Sequence, residues 1–194
     1  PAEMQTRELL ALAAKARDTK FGSDHDFASI RSVRDFQDRV PLRRFEDFWS
    51  DYWEPVFPHL TDCSWPGTIP YFAVTSGTTT GITKFIPCSV DMMASNRKAS
   101  FDLLSHHVHN RPQSRVLAGR SFMLGGSTEL IEQAPGVHSG DLSGIAVREL
   151  PWWVRPRFFP PQSLALIEDW EEKIDRLTEL SLQTDIRSIS GTPS

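Results

Sequence analysis

The 194-residue chain contains two cysteines, two tyrosines and four methionines. Cys63 and Cys88 have a spacing that suits neither a disulfide framework nor a zinc site, and so sparse a cysteine content fits a reducing compartment. Long apolar runs are missing too: none approaches the roughly 20 residues that a membrane-spanning helix needs. The start, Pro1-Ala2-Glu3-Met4-Gln5, is acidic and polar where a secretory leader is basic and then apolar, so the expectation is a cytoplasmic protein with no membrane partner. An excess of positive charge is likewise lacking. The 21 Lys+Arg against 25 Asp+Glu leave a net charge of -4, the wrong sign for a chain whose main partner is a nucleic-acid backbone. A small molecule or another protein is the partner class that remains.

What is present is apolar and aromatic: 39% hydrophobic residues, with six Trp and twelve Phe, enough for a sizeable core. Met4, Leu9, Leu10, Leu12 and Ala13 predict an amphipathic helix over Glu3 to Ala16. A second helix is expected from the N-cap Ser32 through Val33, Phe36 and Val40, broken by Pro41. Phe45, Phe48, Trp49, Tyr52 and Trp53 recur at three and four, which predicts a third helix with one wide apolar face, read as core packing. Residues 58–70, rich in Pro, Gly, Thr and Asp, read as a loop.

The character then changes. Tyr71-Phe72-Ala73-Val74 suits a buried strand, Phe85-Ile86-Pro87 a short extended piece, and Ser89 the cap of a long helix from Val90 to about His109. Arg115 to Leu124 predicts a strand ending in Gly125-Gly126, followed by a glycine-bearing loop from Ser127 to Ser143. A short helix is expected over Gly144 to Leu150, then an irregular Pro-rich cover from Trp152 to Pro161. Leu164, Ile167, Trp170, Ile174, Leu177 and Leu180 predict one helix from about Ser163 to Leu182, with Asp169–Lys173 and Glu172–Arg176 as i,i+4 pairs. Asp185 to Ile189 reads as a strand. The order implies an α/β fold, a mixed or parallel sheet with flanking helices, organised as a helical lead-in over 1–57 and an α/β region over 70–194.

The string Thr75-Ser76-Gly77-Thr78-Thr79-Thr80-Gly81-Ile82-Thr83-Lys84 follows the buried strand directly. Glycines let successive N–H groups converge on an anion, hydroxyls add donors to phosphate oxygens, and a lysine supplies a point charge. It is not the P-loop of the common NTPases, whose glycine spacing and Gly-Lys-Ser/Thr ending are absent. On composition, a phosphate-binding loop of another type and a structural Gly/Thr turn fit equally.

The loop resembles the signature of the adenylate-forming superfamily of acyl-CoA synthetases and luciferase, and within it the Gretchen Hagen acyl acid-amido synthetase family. Val40-Pro41-Leu42-Arg43-Arg44-Phe45-Glu46-Asp47-Phe48, Gly140-Asp141-Leu142-Ser143-Gly144-Ile145, Leu150-Pro151-Trp152-Trp153 and Asp169-Trp170-Glu171-Glu172-Lys173 are similar to the bacterial branch of that family. The resemblance runs through nearly the whole chain. It implies a ligase that uses MgATP to convert a carboxylic acid to an acyl-adenylate and passes the acyl group to an amine such as an amino acid. It implies that Thr75, Ser76, Gly77, Thr78, Thr79, Thr80 and Gly81 line the ATP phosphates, with Lys84 at the loop's end. It also places the helix bearing Met92, Met93, Arg97, Lys98 and Phe101 beside the acyl pocket, with Met93, Arg97 and Lys98 as candidate substrate contacts and a solvated helix face as the competing reading of the two cations.

The family is much longer, and its adenine- and ribose-binding motifs have no counterpart here. The expectation is therefore an N-terminal portion that needs the remaining C-terminal part of the same protein and is inactive alone. The loop does not separate amide from thioester formation, so a CoA ligase is the alternative enzyme, and a non-catalytic interaction module the alternative class. His106, His107 and His109 cluster near a helix C-terminus without a carboxylate or cysteine nearby, and no metal site is assigned to them. Gly125-Gly126-Ser127 fits a cleft or a turn equally well, His138 receives no role, and Trp152, Trp153, Phe158 and Phe159 are read as packing of the Pro-rich cover.

Overall fold

The computed structural model describes residues 1–75, 83–124, 129–161, 164, 167 and 169–191. They divide into two units: Pro1–Pro70 with Gln133–Val137, and Tyr71–Glu132 with His138–Ser194.

The first unit is helical. It contains α1 (Ala2–Ala16), α2 (Lys20–Asp24), α3 (Val33–Arg39) and α4 (Phe45–Phe48). Ser32 caps α3 as its sequence predicts, accepting from the Asp35 N–H at 3.1 Å, and the Asp35 carboxylate reaches back to the Arg31 N–H at 2.9 Å. The aromatic run does not form the single helix expected of it. After α4 the chain passes through a π turn at Trp49–Trp53 and a 3-10 turn at Glu54–Val56. A π turn repeats more slowly than an α turn and so brings residues five apart onto one side. Phe48 and Trp53 accordingly stack with centroids 5.1 Å apart. Phe21 on α2 is buried against Phe27, Phe48 and Tyr52 at 5.7, 5.2 and 5.2 Å, edge-to-face with Phe27 and Tyr52 and tilted against Phe48, a cluster that fixes the unit's core. Arg43 lies over the Tyr52 ring, 5.3 Å from its centroid, and donates to Asp51 at 2.6 Å.

The second unit carries most of the strand structure. A four-stranded sheet has the order β2-β1-β5-β4, formed by β1 (Tyr71–Thr75), β2 (Lys84–Cys88), β4 (Ile131–Ala134) and β5 (Val137–Gly140). β1 runs antiparallel to β2 and parallel to β5, so the sheet is mixed. Pro87, which cannot donate a ladder bond, sits on the edge strand β2. A second sheet, all parallel, has the order β6-β3-β7, from β3 (Arg120–Leu124), β6 (Phe158–Phe159) and β7 (Ile186–Gly191). The helices are α5 (Val90–Asn110), α6 (Leu142–Arg148) and α7 (Trp170–Leu182). This is the α/β arrangement with a mixed sheet and flanking helices that the order of elements implies.

Four local expectations are corrected. The segment 127–143 holds the strands β4 and β5, joined by the two residues Pro135-Gly136, with Gly136 at φ +79°, a conformation glycine adopts without steric cost. The third strand begins at Arg120, because 115–118 closes on itself through the Ala118 N–H bond to the Arg115 carbonyl. In the Pro-rich cover Phe158 and Phe159 form a strand beside Ser121 and Phe122, and Phe159 is fully buried while Trp152 and Trp153 stay exposed. The single helix expected from about Ser163 to Leu182 is interrupted: Leu164 is helical, but Ile167 is not and Asp169 is extended, capping a separate α7 by accepting from the Glu172 N–H at 2.8 Å. Ser163 itself lies outside the described residues.

Two outcomes follow from this packing. Gly119 precedes β3 where a Cβ would lie 2.2 Å from the Asp185 carbonyl oxygen, so Gly119→Ala must push β7 away from β3. A loss of about 1–3 kcal/mol, read as a lower urea midpoint, is expected. In the helical unit, the Arg43 hydrogen bond holds the Asp51 carboxyl below its ordinary value of 3.8, and the Arg31 N–H does the same for Asp35. A depressed carboxyl stabilises the fold above 3.8 and loses that contribution as pH falls through its lower folded value. Asp51→Asn and Asp35→Asn are therefore expected to lower stability at neutral pH and to flatten the acid limb of a far-UV circular dichroism titration.

Candidate functional site

The site is built on β1. Tyr71, Phe72 and Ala73 are buried and Val74 is half-buried, whereas Thr75 is exposed, so the strand carries the chain out of the core at its C-terminal end. There Thr75 stands in register with Lys84, the first residue of β2. The threonine- and glycine-rich segment is thus the connection of a hairpin whose two ends are held side by side by ladder hydrogen bonds. Ser76, Gly77, Thr78, Thr79, Thr80 and Gly81 lie outside the described residues, as do Gly125, Gly126 and Ser127.

From β2 the chain turns at Ser89, whose hydroxyl accepts from the Met92 N–H at 3.1 Å and starts α5. Met93 is buried in a cluster with Tyr71, Ala73, Cys88 and Ile145. One turn on, Arg97 donates to the Glu149 carbonyl at 3.4 Å. Lys98 points elsewhere: it pairs with Asp102 at 2.6 Å, its side chain 76% exposed. The structure therefore brings Met93 and Arg97 onto the face of α5 that meets β1 and α6, and puts Lys98 on the solvated face.

Sequence reasoning passed over Tyr71 and Glu149. The Tyr71 hydroxyl donates to the Glu149 carboxylate at 2.6 Å across 78 positions of sequence. Burial, reinforced by that hydrogen bond, pushes the Tyr71 phenol above its ordinary value of 10.0, so it is a neutral donor. A tyrosine opening an otherwise apolar buried strand was the available signal, since a buried phenol needs a partner. Burial also pushes the Cys88 and Cys63 thiols up, which leaves both as inert thiols and not as nucleophiles.

Among the described residues, no group of three or more His, Cys, Asp or Glu side chains is placed to hold a metal, and no helix is long and apolar enough to cross a membrane. His107 is engaged with the Ser114 hydroxyl at 2.8 Å, and the His138 ring lies 6.1 Å from that of Tyr71. Trp153 stacks on Phe101 at 6.3 Å.

The chain belongs to the GH3 family: residues 1–174 match the family's N-terminal domain. Among solved structures it is similar to one described as "GH3.15 acyl acid amido synthetase", with a TM-score of 0.69 at 17% sequence identity over 94% of this chain. At that identity the likeness is one of fold. The chain spans 32% of the length of that structure. No curated protein matches it in sequence.

The Ser89 cap tests how far α5 depends on its first turn. Ser89→Ala removes the acceptor for the Met92 N–H and is expected to cost about 1 kcal/mol, seen as a lower Tm.

Proposed function

We propose that this chain supplies the phosphate loop and part of the acyl pocket of an ATP-dependent acyl acid-amido synthetase. The observation that carries the reading is the pairing of Thr75 with Lys84 at the mouth of the β1–β2 hairpin, in a chain of the GH3 family. In this reading Ser76, Gly77, Thr78, Thr79, Thr80 and Gly81 offer N–H and hydroxyl donors to the phosphates while Lys84 adds charge at the root. Mg2+ enters with the phosphates, to which the loop's hydroxyl oxygens are a suitable ligand type.

The reaction has two displacements. An oxygen of the acid's carboxylate attacks the α-phosphorus, the bond to the β-phosphate breaks, and pyrophosphate leaves. An amine nitrogen, such as that of an amino acid, then attacks the acyl carbon, AMP leaves with the C–O electrons, and the nitrogen loses a proton. Negative charge builds on phosphate oxygens in the first step, and preorganised donors are most effective where charge develops. No nucleophile of the protein enters, in keeping with the protonated, buried cysteines. On this reading adenine, ribose and the amine are met by residues other than 1–194, so these 194 residues alone are expected to release no pyrophosphate.

Acid-dependent exchange of labelled pyrophosphate into ATP by the full-length protein tests the proposal. Thr78→Ala and Lys84→Ala are each expected to lower kcat/KM by about 100-fold, the usual scale for losing one donor to a developing anion. Exchange that survives both variants removes the phosphate-loop assignment. Product formation that requires CoA and yields a thioester replaces amide synthesis with a CoA ligase.

A further inference from the structure

α5 and the segment beginning in α6 meet along three matched contacts. Met93 and Ile145 share one buried cluster, Arg97 donates to the Glu149 carbonyl at 3.4 Å, and Phe101 stacks on Trp153 with rings 18° from parallel. Both partners advance by four residues at each step, so the two segments run alongside each other with one apolar contact, one polar contact and one aromatic contact in turn. The middle contact has a second arm, because the Glu149 carboxylate accepts from the Tyr71 hydroxyl at 2.6 Å. Tyr71 lies on β1, four residues before Thr75, where the phosphate loop begins. The same end of α6 is clasped from the other side by Arg155, which donates to the carbonyls of Arg148 and Leu150 at 2.9 and 3.1 Å.

We propose that Glu149 is a positioning residue: it holds Arg97, through its carbonyl, and β1, through the Tyr71 hydroxyl, in one fixed relation, so that Arg97 is aimed at the carboxylate of the acid substrate. The inference rests on the synthetase reading and deepens it. Arg97 is the cation suited to the task. It projects from the helix face shared with buried Met93, whereas Lys98 is spent on Asp102 in solvent. A guanidinium that gives one N–H to a backbone carbonyl keeps others for a carboxylate, and that one bond restricts its rotation. The Arg155 clasp is local to residues 148–155, so losing the Tyr71–Glu149 bond unties the end of α6 from β1, and the carbonyl that orients Arg97 is no longer fixed against that strand. The acid then meets a cation of the right charge in the wrong place, and its apparent affinity falls while that of ATP does not.

The experiment is pyrophosphate exchange by the full-length protein, with KM for the acid and for ATP measured separately and Tm recorded for each variant. Tyr71→Phe and Glu149→Ala are expected to raise KM for the acid at least about five-fold and to leave KM for ATP within about two-fold. Glu149→Gln keeps an acceptor oxygen for the Tyr71 hydroxyl and is expected to restore KM for the acid toward the wild-type value. Arg97→Lys, made in the wild-type background, is expected to match Glu149→Ala in direction. A fall in Tm with both KM values unchanged assigns the contact to stability alone and overturns the inference, as does an equal rise in both KM values. A wild-type protein with no acid-dependent exchange overturns the synthetase reading instead.

Discussion

Strand β1 is hydrogen-bonded along both edges, antiparallel to β2 on one side and parallel to β5 on the other, and the neighbouring structure takes its position from that double commitment. Over Tyr71–Ala73, where both edges are paired, the buried backbone satisfies its N–H and C=O groups in the two ladders, which leaves that part of β1 no freedom to slide or rotate. Register follows from this. Tyr71 opposite Cys88 at one end forces Thr75 opposite Lys84 at the other. The loop is therefore gripped at both ends by a rigid support, the condition under which a row of donors can be preorganised for an anion.

The same constraint explains why the neighbouring helices carry polar contacts in a largely apolar setting. The cluster of Tyr71, Ala73, Cys88, Met93 and Ile145 excludes water from one face of the sheet. A phenol that enters such a cluster loses its hydration unless a protein acceptor replaces it. Glu149 does so, and α6 becomes tied to β1 by chemistry as well as by packing. At the end of α6 the carbonyls of Arg148, Glu149 and Leu150, which no intrahelical donor can reach, are taken by the guanidinium groups of Arg155 and Arg97. The polar groups there are structural necessities of ending a helix near a core, and one of them falls beside the site.

The helical unit follows a different logic. Its core is aromatic, centred on Phe21, Phe48 and Tyr52, and its surface is laced with short-range ion pairs such as Lys20–Asp24 and Arg34–Asp38. Exposed pairs of that kind add little stability each, so the aromatic cluster carries the unit. The change from α to π geometry at Trp49 shows packing overriding a local pattern: the three- and four-residue spacing is helical, but stacking Phe48 on Trp53 uses a turn that repeats over five.

Much of this was legible in the chain. Ser32 and Ser89 announced their helices, because an N-cap is a contact between a side chain and a backbone group three residues away. The buried run of β1 and the change of composition at Thr75 marked the candidate loop, since burial and anion binding call for residue types that differ locally. The strands β4 and β5 were hidden, as their residues alternate weakly and only Pro135-Gly136 hinted at a turn. So was the start of α7, which Asp169 caps. Sequence by itself determined the α/β class, the principal helix caps and the position of the candidate phosphate loop, because those depend on residues near one another. Tertiary structure alone decided that Lys98 faces solvent while Arg97 faces Glu149, and that Tyr71 has a carboxylate partner 78 positions away, because such pairs form only when the sheet and its helices close on one another.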